Sequence, residues 1–262
     1  MTVTVDGAEL EVEVRGEGAP VVCLHAGIAD SRMWSLQDPA RWGRMVTWDR
    51  RGFGRSRAGP APWSPVADAV AVVDALGIER AVWMGCSMGG RLAIEVALAH
   101  PERVSALVLV APAVSGAPFD DGVDPALIER YEALEQGADP EALVAFETWF
   151  WLDGTASPVG RVDGPARALV EQMNRQRLSL SAGPPQWPDG AWQQLERLPP
   201  TVLAWGSADA PGLVRMFEAA ALRVPRVERV VFDGAAHFPN LEDPRGFDAR
   251  ARAALDRVTA SS

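Results

Sequence analysis

The chain has 262 residues, 48% hydrophobic and 23% charged, which is enough apolar material for the core of one large domain. Its formal net charge of −10 argues against nucleic acid and acidic membrane surfaces as partners, because both require clustered cations. All 25 basic residues are arginine, which excludes Schiff-base chemistry and a Walker-type phosphate loop.

The N-terminal residues and the cysteines indicate a cellular compartment. No basic segment followed by an apolar one opens the chain, and no run of about 18 apolar residues occurs, so we expect neither a signal peptide nor a membrane span. Cys23 and Cys86 both fall in apolar strand-like segments, which favours two buried free thiols over a disulfide. We therefore expect a cytoplasmic protein, monomeric or homodimeric.

The first half of the chain alternates predicted strands with predicted helices. Residues 2–5 and 9–15 alternate polar and apolar positions, as half-buried antiparallel strands do. Residues 20–25 and 45–49 are mostly apolar runs, typical of strands buried on both faces. Ser64–Pro65 reads as the N-cap and first residue of a helix. This alternation predicts a largely parallel sheet.

A G-x-S-x-G pattern, Gly85 to Gly89, lies between a predicted strand at 80–84 and a predicted helix at 91–99. The serine of such a turn, here Ser87, has a strained backbone, and its oxygen faces the N–H groups of the new helix. The flanking glycines are needed because side chains there would collide with neighbouring elements. We interpret Ser87 as a nucleophile; the alternative is a glycine-rich turn without chemistry.

A nucleophilic serine requires hydrogen-bond donors for the negative charge that develops on the attacked carbonyl oxygen. The N–H of the residue after the nucleophile, Met88, is one candidate donor. The second belongs to the turn after the strand at 20–25, where either Gly27 or Ile28 is suitable, and we favour Gly27. Each such donor stabilises a transition state by about 3 kcal/mol.

After the sixth predicted strand, a buried apolar run at 104–110, the alternation stops and helical patterns follow. Asp124–Pro125 and Asp139–Pro140 both read as an N-cap and a first helical residue, and a third helix is predicted from about 164 to 180. We interpret this stretch as an inserted lid. The predicted division is a core domain of residues 1–112 and 197–262 and a helical lid of residues 113–196.

The predicted lid is rich in aromatic residues. We expect Trp149, Phe150 or Trp151, with at least one of Trp187 and Trp192, to form the apolar roof of a pocket. The alternative is that these rings only hold the lid helices together. With Ile28 of the earlier turn, the predicted substrate-binding residues are Ile28, Trp149, Phe150, Trp151 and Trp187.

Two further buried strands, at 200–206 and 227–232, each precede a polar side chain. Asp209 lies three residues past the first of them, and His237 lies five past the second. The carboxyl ends of parallel strands meet at one edge of a sheet. We therefore expect Asp209, His237 and Ser87 to lie at the same edge.

The chain has three histidines and several competing acids. His25 belongs to the turn that precedes Gly27, and His100 ends a helix, so His237 is the predicted general base. Asp209 is the predicted acid. Asp233 is a weaker candidate because it lies at the end of the last strand, and Asp120 and Asp121 are second choices.

Taken together, these motifs resemble the α/β-hydrolase superfamily over nearly the whole chain. The segments that carry the resemblance are His25–Gly27 with Trp34 beyond it, Asp49–Ser56, Gly85–Gly90, Gly206–Asp209 and Gly234–His237. The resemblance implies an α/β fold with a mostly parallel central sheet of about eight strands, helices on both faces and an inserted helical lid. We expect no metal and no organic cofactor, since the sequence contains no cluster of ligand residues. The likeness is to lidded esterases, enol-lactonases and C–C hydrolases.

The sequence therefore predicts a serine hydrolase acting on a small or medium apolar ester or lactone. Its nucleophile is Ser87, its general base His237, and Asp209 fixes the imidazole. Relatives with an aspartate nucleophile, such as haloalkane dehalogenases, are excluded by the serine.

Three alternatives stay open. The first is hydrolysis of a C–C bond in a vinylogous diketone, whose carboxylate would need a cation such as Arg91, Arg175 or Arg177. The second is a biosynthetic enzyme that uses the site for a rearrangement or ring closure. The third is a ligand receptor without catalysis on the same fold.

Overall fold

The fold is a nine-stranded sheet with helices on both faces, seen in a computed structural model that describes residues 1–118 and 122–260. The strands are β1 (Thr2–Val5), β2 (Ala8–Arg15), β3 (Pro20–Leu24), β4 (Arg44–Trp48), β5 (Arg57–Ala58), β6 (Ala81–Cys86), β7 (Val104–Val110), β8 (Thr201–Gly206) and β9 (Val227–Phe232). Eight of them were predicted from apolar patterning; the two-residue β5 was not.

The strand order in the sheet is β1-β2-β4-β3-β6-β7-β8-β9, with β5 paired to β2. The first pairs, β1 with β2 and β2 with β4, are antiparallel, and every pair from β4 through β9 is parallel. The predicted sheet of about eight strands, mostly parallel, is confirmed. Since β6, β8 and β9 all run in one direction, their carboxyl ends share one edge.

The described residues form nine α-helices besides these strands. They are α1 (Pro39–Trp42), α2 (Pro65–Ala75), α3 (Met88–Ala99), α4 (Pro125–Gln136), α5 (Pro140–Thr148), α6 (Gly164–Leu178), α7 (Pro211–Ala221), α8 (Pro239–Glu242) and α9 (Pro244–Ala260). Short 3₁₀ turns occur at Ser31–Trp34, Pro101–Arg103 and Ala191–Arg197, and a π-helical turn at Trp149–Asp153. The side chains of Ser64, Asp124 and Asp139 accept hydrogen bonds from the first turns of their helices, as predicted.

The sheet separates two apolar cores because side chains on neighbouring strand positions point to opposite faces. Val22 and Leu24 of β3 pack in the core that α2, α3 and α7 cover, whereas Val21 and Cys23 pack in the core that α9 covers. This is the reason for the continuous apolar runs in the sequence. The two cysteines are buried and unpaired, as predicted.

Helices α4, α5 and α6 and the π-helical turn fill the stretch between β7 and β8, where the sequence predicted a lid. The 3₁₀ turn Ala191–Arg197 lies at the end of this stretch and packs against the sheet domain. Its Trp192 and Leu195 belong to the core on the α3 face of the sheet. Among the described residues, no helix is long and apolar enough to cross a membrane.

Candidate active site

Ser87 connects the end of β6 to the start of α3 in a backbone conformation that few non-glycine residues adopt. Its φ is 52° and its ψ is −114°. The backbone N–H of Ser87 donates to the carbonyl of Val110 at 2.9 Å, which ties the turn to the neighbouring strand β7. A strained serine held at the carboxyl edge of a sheet is a feature of functional sites rather than of ordinary turns.

The glycines around Ser87 are required by close approach. A Cβ on Gly85 would lie 2.3 Å from the carbonyl oxygen of Gly89, and one on Gly89 would lie 2.2 Å from the carbonyl oxygen of Leu24. A Cβ on Gly90 would meet the side chain of Pro112 at 2.7 Å. Any side chain at these positions would push α3 away from the sheet, and the strained turn could not form.

His237 and Asp209 follow neighbouring strands, β9 and β8, and are bonded to each other. The Nδ1 atom of His237 lies 2.6 Å from Oδ2 of Asp209, and both residues are buried. The other carboxylate oxygen of Asp209 accepts the N–H of Ala210 at 2.8 Å. This pairing places a proton on Nδ1 and leaves Nε2 of the neutral ring as an acceptor. Among the described residues, Nε2 is buried and has no hydrogen-bond partner.

The competing acids are located elsewhere. Asp233 accepts a hydrogen bond from the hydroxyl of Ser207 at 3.1 Å, at an exposed position. Asp120 and Asp121 lie outside the described residues. Of the acids considered from the sequence, Asp209 is the one bonded to His237.

The segment that carries His237 is attached to the helical insertion at two points. The N–H of His237 donates to the carbonyl of Trp151 in the π-helical turn, at 3.1 Å. The N–H of the preceding residue, Ala236, donates to Glu242 at 2.7 Å, and the other oxygen of that carboxylate accepts from Arg161 at 2.7 Å. Burial raises the pKa of Glu242. These bonds hold the histidine against residues 149–161.

A cavity of about 260 Å³ contains both Ser87 and His237 in its wall. Its apolar lining is Ala26, Gly27, Ile28, Met88, Ala113, Trp151 and Phe238, and its polar lining adds Arg91, Tyr131, Glu147 and Arg177. The predicted residues Gly27, Ile28, Ser87, Met88, Trp151 and His237 therefore meet in one space. The lining comes from both the sheet edge and helices α4 to α6.

Gly27 and Met88, the two predicted oxyanion donors, both line this cavity. A Cβ on Gly27 would lie 3.2 Å from Cε of Met88 and 3.9 Å from its Cβ, so the two residues approach each other closely. Hydrogen bonds of the His25 ring hold the turn around Gly27 in place. Nδ1 of that ring donates to the carbonyl of Ala26 at 2.8 Å, and Nε2 accepts the backbone N–H of Arg50 at 3.1 Å. Burial, and next the charge on Arg50, lower the pKa of His25 well below its usual range.

The predicted aromatic roof divides between several places. Trp151 lines the cavity, and its ring centroid lies 4.5 Å from that of His237. Phe150 packs edge-on against Trp151 at 4.6 Å and lines a small adjoining cavity of about 90 Å³. Trp149 lines a separate hollow with Phe146 and Pro158, and Trp187 lines a third hollow with Phe53 and Trp63.

Three polar residues of the cavity wall, Tyr131, Glu147 and Arg177, form a hydrogen-bond network that was not predicted from the sequence. The carboxylate of Glu147, 1% exposed, accepts the hydroxyl of Tyr131 at 3.1 Å, the amide of Asn174 at 2.8 Å and Nη2 of Arg177 at 2.7 Å. Arg175, also considered from the sequence, is paired with Glu141 at an exposed position. One sequence feature could have indicated this network. Glu147 is a charged residue one helical turn after Leu143, so it lies on the buried face of α5, where a charge needs partners.

Metal ligation finds no support in the described residues. Within residues 1–118 and 122–260, no group of three or more histidine, cysteine, aspartate or glutamate side chains could hold a metal ion. The polar groups in the cavity wall include the hydroxyl of Ser87, the imidazole of His237 and the side chains of Tyr131, Glu147, Arg91 and Arg177.

Comparison with known proteins identifies the family. Residues 21–250 match the alpha/beta hydrolase family. A pimeloyl-[acyl-carrier protein] methyl ester esterase of Klebsiella pneumoniae is 31% identical over 249 residues, 88% of this chain and 92% of that protein. A 2-hydroxymuconate semialdehyde hydrolase of a Pseudomonas strain is 36% identical over 127 residues, but this match spans only 45% of either chain.

Solved structures agree at the level of the fold. A thermophilic esterase from Thermogutta terrifontis superposes with a TM-score of 0.79 at 24% identity, covering 99% of this chain and 98% of that one. The enol-lactonase from Burkholderia xenovorans gives 0.78 at 21% identity, covering 98% and 100%. The chain belongs to the alpha/beta hydrolase family, and it is an enzyme of the hydrolase class.

Proposed function

We propose that the protein is a serine hydrolase that cleaves a small or medium apolar ester or lactone through an acyl-enzyme. The single observation that carries this proposal is the His237 ring. One of its nitrogens is bonded to Asp209 at 2.6 Å. The other is buried without a partner among the described residues, in the cavity wall that also contains the strained Ser87. A general base whose accepting nitrogen is unused fits a nucleophile beside it.

The proposed reaction has two stages. The hydroxyl oxygen of Ser87 attacks the substrate carbonyl and its proton passes to Nε2 of His237; the intermediate then collapses and that proton passes to the leaving alkoxide, so the alcohol departs. In the second stage a water molecule attacks the acyl-enzyme, gives its proton to His237, and the returning proton releases Ser87. Asp209 holds the imidazole in the required tautomer and stabilises its charged form.

The oxyanion of each intermediate is proposed to accept the N–H groups of Gly27 and Met88. The close approach of these two residues in the cavity wall supports this assignment. Such donors act most strongly where water is excluded, and the cavity lining is mostly apolar.

Helices α4 to α6 are proposed to act as a lid, within an insertion of residues 113–196 in a core of residues 1–112 and 197–262. The support is that Tyr131, Trp151 and Arg177 of this insertion line the same cavity as Ser87. A cavity of about 260 Å³ with an apolar lining suits a substrate of modest size. Of the predicted aromatic roof, Trp151 is the proposed substrate contact, together with Ile28.

The proposal is tested by active-site labelling and a substrate panel. A fluorophosphonate probe should modify Ser87, located by peptide mass spectrometry, and 4-nitrophenyl acetate, butyrate and simple lactones should be hydrolysed. Labelling of another serine, or no labelling with no hydrolysis of any ester or lactone, would refute it.

A second candidate function, hydrolysis of a C–C bond in a vinylogous diketone, is favoured by one observation. Arg177 is fixed in the cavity wall by Glu147 and by Asn174, whose side-chain oxygen accepts from Nε at 3.0 Å. A fixed guanidinium suits the carboxylate of such a substrate. Turnover of a dienoate substrate faster than that of any ester would support C–C bond hydrolysis over ester hydrolysis.

A further inference from the structure

Arg50, in the turn that follows β4, is a buried cation with an unusual set of partners. It is 3% exposed. Its guanidinium donates through Nη2 to the carbonyl oxygens of His25 and Ala26, both at 3.1 Å, and through Nε to the ring of His25 at 3.4 Å. The face of Phe53 lies 4.8 Å from the guanidinium carbon. Every one of these contacts lies in or beside the turn that leads to Gly27.

The next residue, Arg51, provides the contrast. It is also buried, but it donates to both oxygens of Asp68, at 2.7 and 2.8 Å, as buried charges usually require. Among residues 1–118 and 122–260, Arg50 has no carboxylate within ion-pairing distance, and burial lowers its pKa to about 9. A buried charge without a resident counter-charge is disfavoured unless another element of the site requires it.

The geometry of one peptide unit connects this charge to the proposed reaction. The carbonyl of Ala26 and the N–H of Gly27 belong to the same planar amide. That carbonyl accepts from Arg50 and from Nδ1 of His25, so two donors withdraw electron density from one amide. A charge-assisted bond to the oxygen of an amide makes its N–H a stronger donor, and it also fixes the plane of the amide.

We propose that Arg50 is a positioning residue for the oxyanion: it orients and polarises the Ala26–Gly27 amide so that the Gly27 N–H faces the carbonyl under attack. This inference rests on the proposed function, because it needs a negative charge to develop beside Gly27. The oxyanion is the transient counter-charge for Arg50, so the stabilisation is larger in the transition state than with substrate bound.

The test uses two variants and one matched control in the full-length protein. In Arg50→Met the charge and all its donors are removed; in Arg50→Lys the charge stays but one ammonium group cannot reach the same acceptors in the same geometry. Arg51→Lys alters the neighbouring buried arginine without touching the Ala26–Gly27 amide. Circular dichroism and thermal melting establish which variants fold.

The expected result is a loss of kcat with little change of KM. For 4-nitrophenyl butyrate, kcat should fall about 10²- to 10³-fold in Arg50→Met, the scale of losing one oxyanion donor, and by less in Arg50→Lys. The inhibition constant of an alkyl trifluoromethyl ketone, whose serine adduct places an oxyanion in the same position, should rise by the factor that kcat/KM falls. Arg51→Lys should stay within twofold of the wild type in both measurements.

Three results would overturn the inference. The first is a folded Arg50 variant with kcat within twofold of the wild type. The second is a loss that appears in KM, or that leaves ketone inhibition unchanged, since Arg50 would then act on substrate binding or folding alone. The third is a wild type that cleaves no ester and takes up no fluorophosphonate, in which case the proposed function falls as well; the first two leave that function standing.

Discussion

The backbone N–H of His237 donates to the carbonyl oxygen of Trp151 at 3.1 Å, and the rings of the two residues lie 4.5 Å apart. The carbonyls of the last helical turn lack partners within their own helix, so the π-helical turn Trp149–Asp153 can supply one to the histidine loop. Trp151 thus contacts the proposed general base and also lines the cavity, which makes it the most informative residue of the insertion.

Trp151→Ala should change substrate preference more than stability. Its backbone bond to His237 survives the substitution, whereas the apolar wall of the cavity is lost. We expect KM for bulky apolar esters such as 4-nitrophenyl octanoate to rise several-fold more than KM for 4-nitrophenyl acetate. Steady-state kinetics on the two esters measures this ratio.

Trp149→Ala is the matched control, because Trp149 belongs to the same turn but lines a different hollow. It should lower the melting temperature and leave the ratio of KM values as in the wild type. If Trp151→Ala also left the ratio unchanged while lowering the melting temperature, its ring would have only a packing role, and the pocket assignment would be wrong.

Ser87→Ala should abolish turnover without unfolding the protein. Alanine removes the nucleophilic oxygen but must still adopt the strained backbone, with φ near 52°. We expect kcat to fall by about 10³- to 10⁶-fold, on the scale of triad deletions. Fluorophosphonate labelling should disappear from the variant, and an unfolding transition similar to that of the wild type would show that the loss is chemical.

Asp209→Asn should lower kcat by about 10⁴, because an amide in place of the carboxylate favours the wrong imidazole tautomer. The 2.6 Å contact with Nδ1 of His237 is the reason for this expectation. Asp233→Asn is the control, since that carboxylate bonds to Ser207 and not to the histidine. Near-normal activity in Asp209→Asn would mean that another residue is the acid of the triad. Asp120 and Asp121 would then be the next residues to substitute.

Much of the fold was predictable because its signals are local. The apolar runs of β3, β4, β7 and β8 appear in the sequence as continuous stretches, since each strand is buried on both faces. The positions of Asp209 and His237 followed from one topological rule, that the carboxyl ends of parallel strands share an edge. Strand order did not by itself exclude Asp233 as the partner of His237; the 2.6 Å contact in the structure identifies Asp209.

The directions and contacts of the side chains in the insertion were not predictable from the sequence in the same way. Trp149, Phe150 and Trp151 are consecutive, yet Trp149 lines a separate hollow and Phe150 a small cavity, whereas Trp151 lines both that small cavity and the one that contains Ser87. Their directions depend on the π-helical turn, whose wider winding changes the angle between successive side chains and has no clear sequence signal. The bond between Glu147 and Arg177 joins residues 30 positions apart on two helices, so only the packing of α5 against α6 reveals it.

The pH dependence of stability tests the buried state of His25. Burial lowers the pKa of this histidine in the folded protein, whereas in the unfolded chain the value is about 6.5. Below that pH the unfolded state binds a proton that the folded state does not. The contribution of His25 to the free energy of unfolding should therefore be constant above pH 7. It should fall by up to about 1.4 kcal/mol per unit as the pH drops below 6.5.

Urea denaturation at several pH values between 5 and 8, with wild type and His25→Asn side by side, isolates this contribution. Asparagine can keep a donor and an acceptor near Ala26 and Arg50 but takes up no proton, so the difference in stability between the two proteins should shrink as the pH falls below 6.5. His100→Asn removes a partly exposed histidine and leaves His25 in place, so the contribution of His25 to the slope should remain. A difference between wild type and His25→Asn that stayed constant from pH 8 to pH 5 would mean that His25 takes up its proton in the folded protein. The hydrogen bonds to Ala26 and Arg50 would then need a different assignment of the ring.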